Sequence, residues 1–163
     1  MKYEINDGTL AVISLDEENT SILEDNHEYS VIQNAYEIMD SSCKYFGSSY
    51  NGRKEGAKEI LGAEYKVPIV VEDSRNIIFF PTTSPKDKEC IWLSLKHIMK
   101  YEEIDYNQTK IVFDNNKEII VPISYRSIEN QVLRATRLES LLRKRKNSWL
   151  NYFFWCKNAV FMV

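Results

Sequence analysis

At 163 residues, 44% of them hydrophobic and 28% charged, the chain has the size and composition of one folded, soluble domain, which excludes a disordered or membrane-spanning protein. Its net charge of −3 argues at first sight against nucleic acid, because duplex binding draws on phosphate neutralisation. Ten acids and one base in residues 1–40 nevertheless leave +6 on the remainder, which reads either as a positive surface or as evenly solvated charge.

Met1 to Leu10 carries Glu4 and Asp7 where a secretory signal needs a basic region and an apolar run, so a cytoplasmic location is expected. Thr9–Leu15 and Tyr29–Ile32 are short and rich in β-branched or aromatic residues, and they read as strands. Glu37–Phe46 and Tyr50–Leu61 read as helices on either side of Gly47-Ser48-Ser49, where a glycine ends one helix and a serine caps the next. Gly52 and Gly56 weaken the second helix by about 1 kcal/mol each relative to Ala. Val67–Val71, Ile77–Phe80 and Ile91–Ser94 follow as strands, punctuated by Pro68, Asp73-Ser74 and Pro81. Lys110–Phe113 and Glu118–Val121 form a hairpin across Asp114-Asn115-Asn116-Lys117.

The strongest helical pattern runs from Ser127 to Lys146. Ile128, Val132, Ala135, Leu138 and Leu142 form one apolar stripe, while Arg126, Arg134, Arg137, Lys144 and Arg145 fall on the other side at about 100° per residue. The fold class expected is α+β: a single domain with antiparallel strands, a central helical pair and a long amphipathic basic helix near the C-terminus.

Cys43, Cys90 and Cys156 are odd in number and widely spaced, so they are read as free thiols, mostly buried, with neither a disulfide framework nor a zinc site. Cys43 with His97 is the one conceivable nucleophile and base. It lies in no catalytic signature, and no enzymatic activity, cofactor or metal is expected. His27 lies in an acidic loop, and His97 is read as structural.

The stretch Ser42-Cys43-Lys44-Tyr45-Phe46-Gly47-Ser48-Ser49-Tyr50-Asn51-Gly52-Arg53-Lys54-Glu55-Gly56-Ala57-Lys58 brings bases, aromatics, glycines and hydroxyls together. Amides freed at a helix start can hold a phosphate, with Ser48 and Ser49 as further donors and Arg53, Lys54 and Lys58 as charge. The same residues also read as a capped turn with a solvated basic face. They are not a P-loop, since no GxxxxGK[ST] is present.

The string SCKYFGSSYNGRKEGAKEI resembles the signature of the ComK competence transcription factors. PIVVEDSRNIIFFPTTSP with Cys90, Trp92 and Ser94, and then VPISYRSIENQVLRAT, extend the resemblance, which with looser flanks covers residues 3–143. It implies an activator of DNA-uptake genes that binds AT-rich promoter boxes as a homo-oligomer, chiefly through the minor groove. RNA polymerase and a proteolytic adaptor are the implied protein partners, with no membrane association. A minor groove distinguishes mainly A·T from G·C, and narrow A-tracts attract Arg and Lys, so basic tips suffice to read it. Lys44, Arg53, Lys54 and Lys58 with Ser48 and Ser49 are the first DNA-binding candidates, and Arg134 and Arg137 the second, with oligomer contacts as their other role.

Two departures from the family pattern stand out. Leu95 occupies a position where the family commonly has a second histidine, which leaves His97 without a metal-like pairing. After Arg143-Lys144-Arg145-Lys146, the run Ser148 to Val163 crowds aromatics together where family members continue with a longer, more polar region. The chain therefore divides into a ComK-like DNA-binding domain, 1–146, and a divergent hydrophobic tail, 147–163. Lys157 and two asparagines make that tail too short and too polar for a membrane span. The run reads as core packing or a partner surface, or as the unselected tail of an interrupted reading frame, which would leave a truncated family member that acts only as an interaction module, or is inactive.

Overall fold

The computed structural model describes residues 2–161. Met1, Met162 and Val163, which belong to the two terminal stretches discussed above, lie outside the described residues. Along the chain come β1 (Thr9–Ser14), β2 (Thr20–Glu24), β3 (Glu28–Val31), α1 (Ala35–Tyr45), α2 (Tyr50–Leu61), β4 (Ile69–Glu72), β5 (Ile77–Pro81) and β6 (Ile91–Ser94). A single 3₁₀ turn, Leu95–His97, then leads into β7 (Ile98–Asp105), β8 (Gln108–Phe113), β9 (Glu118–Val121) and α3 (Tyr125–Phe161). The domain is α+β, and all strand pairs are antiparallel. One sheet has six strands in the order β3-β2-β1-β6-β5-β4, and the other has three in the order β7-β8-β9.

The six-stranded sheet is a middle layer. Ile77 and Phe79 of β5, Trp92 of β6 and Val12 of β1 pack with Ile38, Met39 and Cys43 of α1 and with Tyr50 at the start of α2. The alternate residues Ile78, Phe80, Ile91 and Leu93 pack on the other face with Ala57 of α2, Ile128, Ala135 and Leu138 of α3, and Ile111 and Phe113 of β8. Since both faces are covered, β4, β5 and β6 read as unbroken apolar runs rather than as an alternation.

Two strands escaped the sequence reading. β2 pairs on both sides, with β1 and β3, although it lies in the acidic first quarter. β7 carries Lys100, Glu102 and Glu103, residue types depleted from strands, and its pairing with β8 is supported by Glu102 held between Lys100 (2.9 Å) and Lys110 (3.1 Å). The expected hairpin turn is present: the Phe113 amide donates to the Lys117 carbonyl (2.8 Å), with Asn116 in the left-handed region at φ 68°.

Helix ends follow their caps. α1 starts two residues before the expected Glu37, because Asn34 and Glu37 form a reciprocal capping box. α3 starts at Tyr125, where Ser124 Oγ accepts from the Ser127 amide (3.3 Å). Ile128, Ala135 and Leu138 are buried along α3, and Val132 and Leu142 partly so. The helix does not stop at Lys146: no Gly or Pro interrupts residues 147–161, so nothing breaks the hydrogen-bond ladder.

Beyond Lys146 the described large apolar side chains of the helix find no cover. Trp149, Leu150, Tyr152, Phe153, Phe154 and Trp155 are all exposed, with Trp149 stacked on Phe153 along the same helix. Ending the chain after Lys146 should therefore shift Tm by less than about 2 °C, because exposed side chains contribute within about 0.5 kcal/mol. Thermal melts of the full and shortened chains measure this. A large fall would make the tail part of the packed structure.

Candidate nucleic-acid interface

The candidate surface is built on the corner between α1 and α2. Gly47, at φ 87°, turns the chain in a conformation that L side chains rarely adopt, and its amide closes on the Lys44 carbonyl (3.0 Å). Ser48 donates its amide to the Cys43 carbonyl (2.9 Å), and Ser49 then caps α2 by accepting from the Gly52 amide (3.0 Å). A Cβ on Gly52 would stand 3.2 Å from Ser49 Oγ, so the cap and the glycine belong together.

Asp40 alters the expected phosphate cradle. Its Oδ1 accepts from the Tyr50 amide (3.1 Å) and its Oδ2 pairs with Lys44 (2.8 Å). The Lys44 ammonium and then the Tyr50 amide hold the Asp40 carboxyl below its ordinary range. The start of α2 thus has a resident anion of its own, which the reading of residues 42–58 did not include.

The basic side chains differ in how they are satisfied. Lys44 is paired with Asp40, and Lys58 lies between Glu55 (3.6 Å) and Glu64 (3.9 Å). Arg53 and Lys54 have no carboxylate partner among the described residues. Lys54 rests over the Tyr50 ring (5.9 Å), and Arg53 Nε is shut off from solvent without a hydrogen-bond partner. An incoming anion therefore meets only the part of the half-buried Arg53 guanidinium that stays accessible, and not Nε.

Lys44, Ser48, Ser49, Arg53 and Lys54 sit at one end of α2, a helix about 18 Å long, while Lys58, in its last turn, lies toward the other end with Arg134. At its far end Gly62 closes the helix at φ 63°, and the chain turns through the exposed Tyr65 and Lys66. Arg134 on α3 donates to the Tyr65 carbonyl there (2.8 Å), while Gln131 donates to the Lys66 (2.9 Å) and Pro81 (2.7 Å) carbonyls. Arg134 is therefore tied to backbone and fastens α3 to the α2–β4 link. Arg137, one turn on, is exposed and without an ionic partner among the described residues. In the basic run that follows, Arg143 pairs with Glu139 (3.3 Å) and Lys146 with Asp73.

Tyr45 and Tyr65, at the two ends of this surface, are exposed aromatics: the sequence reading counted Tyr45 among the aromatics of residues 42–58 without naming it as a contact, and did not reach Tyr65. Adjacency to Lys44 and to Lys66 is the signal that marks them, since bare aromatics beside bases are the usual furniture of nucleic-acid surfaces.

Cys43 and His97 do not meet in a catalytic pair. Burial pushes the Cys43 thiol up to about 11, against which the nearby Arg53 charge acts only in part. His97 instead faces Asp7 and Asp114, away from α1. Cys43 and Cys90 are buried, Cys156 is partly exposed, and all three are free.

The comparisons with known proteins agree on one family. Residues 1–147 match the family described as ComK protein. The competence transcription factor of Bacillus subtilis (strain 168) is 36% identical over 146 residues, covering 88% of this chain and 76% of that protein. No solved structure matches. With nearly all of its length matched and more than a third of the aligned residues identical to that relative, the chain belongs to the ComK family.

Proposed function

We propose that this chain is a DNA-binding transcriptional activator of competence genes, which recognises AT-rich promoter boxes chiefly through the minor groove. Family membership supports the regulatory role, and the α1–α2 corner with its unpaired Arg53 and Lys54 is the observation that carries the DNA contact. Arg53 and Lys54 enter the groove or its phosphates, and Arg137 extends the contact from α3, whose exposed side is basic. Lys44 and Lys58 take part only by exchanging their carboxylate partners for phosphate. Ser48 and Ser49 border the corner, and Ser49 retains a hydroxyl proton to donate while it caps α2. Arg134 serves position rather than contact. The protein works in the cytoplasm as a homo-oligomer with RNA polymerase, and an adaptor delivers it to proteolysis.

Residues 1–146 form the DNA-binding unit, and residues 147–163 a divergent tail. The end of the family match at residue 147 and the exposure of Trp149 to Trp155 support this division. That same exposed aromatic run favours a second reading, in which the chain acts only through protein contacts. A salt titration separates the two: affinity for an AT-rich duplex should fall steeply with salt, with a slope of about −0.9 per phosphate contact. Absence of binding at low salt would leave only the second reading.

Asp40 supplies a further expected result. Asp40→Asn keeps an acceptor for the Tyr50 amide but removes the resident negative charge and frees Lys44. Affinity for the duplex should rise, with the salt slope steeper by about one unit. Fluorescence anisotropy over a salt series checks it, and lower affinity in a folded variant would show that Asp40 organises the contact instead.

A further inference from the structure

His97 lies where the two sheets are stitched together, and its surroundings are unlike those of a merely packed histidine. Its side chain is 12% exposed, on the 3₁₀ turn that leads from β6 of the larger sheet into β7 of the smaller one. Nε2 stands 2.5 Å from the Asp7 carbonyl oxygen, and Nδ1 stands 3.3 Å from Asp114 Oδ2. A carbonyl oxygen only accepts, so Nε2 carries a proton. In the neutral ring Nδ1 then presents a lone pair, and what it faces is a carboxylate, another acceptor.

A second carboxylate completes the arrangement. Ligand atoms of Asp25, His97 and Asp114 lie within 4.8 Å of one another. Asp25 has no ionic partner among the described residues, because the neighbouring bases are engaged elsewhere. Lys96 and Arg75 pair with the Asp7 carboxylate at 2.6 and 3.4 Å, and Lys117 Nζ donates to the Glu24 carbonyl at 2.8 Å. Ligand atoms of two chemical kinds thus gather within 4.8 Å, and Nδ1, the least hydrated of them, needs a proton or a cation opposite Asp114.

A second proton on His97 meets that need poorly. It serves only Asp114, at a separation longer than the 2.7–2.9 Å of a good charge-assisted bond, and gives Asp25 nothing. A metal ion would take all three groups at about 2.0–2.2 Å each after a small inward movement of two exposed aspartates. The Nε2–H bond to a backbone carbonyl is also how metal-bound histidines are held in orientation.

The frame that carries these groups is rigid. The Asp25 amide donates to the Gly8 carbonyl (3.1 Å), Asn115 Nδ2 to the Asp25 carbonyl (2.9 Å), and the Asp114 amide to the His97 carbonyl (2.9 Å).

We infer that Asp25, His97 and Asp114 form a binding site for a borderline first-row divalent cation, with Zn²⁺ as the best match, which fastens the β8–β9 turn of the small sheet to the β2–β3 turn of the large one. Imidazole with two carboxylates suits such an ion, whereas Ca²⁺ asks for six to eight oxygens. The site is discontinuous in sequence, and for that reason the reading of His97 against its neighbours expected no metal.

The test is a titration of the full chain with Zn²⁺ by calorimetry, with thermal melts in Zn²⁺ and in Mg²⁺. Cys156→Ser serves as the background, to remove an accessible thiol. One equivalent should bind and raise Tm in Zn²⁺ but not in Mg²⁺, since an ion bound only by the native state stabilises it. Asp25→Asn and Asp114→Asn, both at exposed positions, should each weaken binding by at least the roughly 10- to 100-fold that losing an outer-shell partner costs, and abolish the rise in Tm. Imidazole nitrogen NMR should show His97 Nδ1 shifting with Zn²⁺ while Nε2 keeps its proton. Binding that survives both aspartate variants is an adventitious ion only, and overturns the site. An imidazole that stays doubly protonated in excess Zn²⁺ overturns it equally, with the proton as the cation between the acceptors.

Discussion

Replacing Trp92 by Ala should remove about 3–5 kcal/mol of stability, which is a large share of the roughly 5–15 kcal/mol available to a domain of this size. Trp92 is 1% exposed and sits on β6, between Val12 of β1 and Pro81 of β5. Its ring meets Tyr50 edge to face at 6.2 Å, so truncation empties the centre of the layer between sheet and helices and also unseats the first residue of α2. Tm should fall by about 6–20 °C, with the α1–α2 corner loosening first. Melts followed by far-ultraviolet circular dichroism measure this without relying on tryptophan emission. Trp149→Ala is the control, because Trp149 is 64% exposed and its loss should cost no more than about 0.5 kcal/mol. Equal losses from the two variants would refute the packing described here.

The second large effect concerns binding. Arg53→Gln together with Lys54→Gln should weaken association with an AT-rich duplex by about 10- to 100-fold and lower the salt slope by about two units. Glutamine is the better replacement than alanine, since both side chains are half-buried and Lys54 covers the Tyr50 ring, so the stems have packing roles apart from their charge. Tm should stay within about 3 °C of the parent, because no ion pair is broken. Unchanged affinity in the folded double variant would transfer the contact to Arg137 and the α3 surface.

Much of the fold was legible in the sequence, for identifiable reasons. The Gly47-Ser48-Ser49 punctuation marks the α1–α2 corner because a left-handed residue and a capping hydroxyl each require a particular residue type. The stripe from Ile128 to Leu142 marks α3 because a single helix face is buried. β2 and β7 were not legible: β2 is held by partners on both sides, and β7 by a charge ladder with β8, so tertiary pairing decides both. The site shows the same division. Basic residues 44–58 announce themselves as a cluster, but which of them are free depends on Asp40, Glu55 and Glu64, and no spacing rule reveals those partners. The meeting of Asp25, His97 and Asp114 depends wholly on how the two sheets join.

The pairing of β1 with β6 sets an order of events during synthesis. Val12 finds Trp92 only after about 80 further residues have been made, which at about 5–20 residues per second is a wait of roughly 4–16 s. Until then β1 and β2 can pair with each other, but one edge of β1 and both apolar faces of the hairpin remain open. The nascent chain is most vulnerable to wrong partners in this interval, and the closure of a distant pair makes it the slow stage of folding. A charge at Ile13, on the β1 edge that waits for Ile91, would guard the growing chain at the expense of the finished sheet.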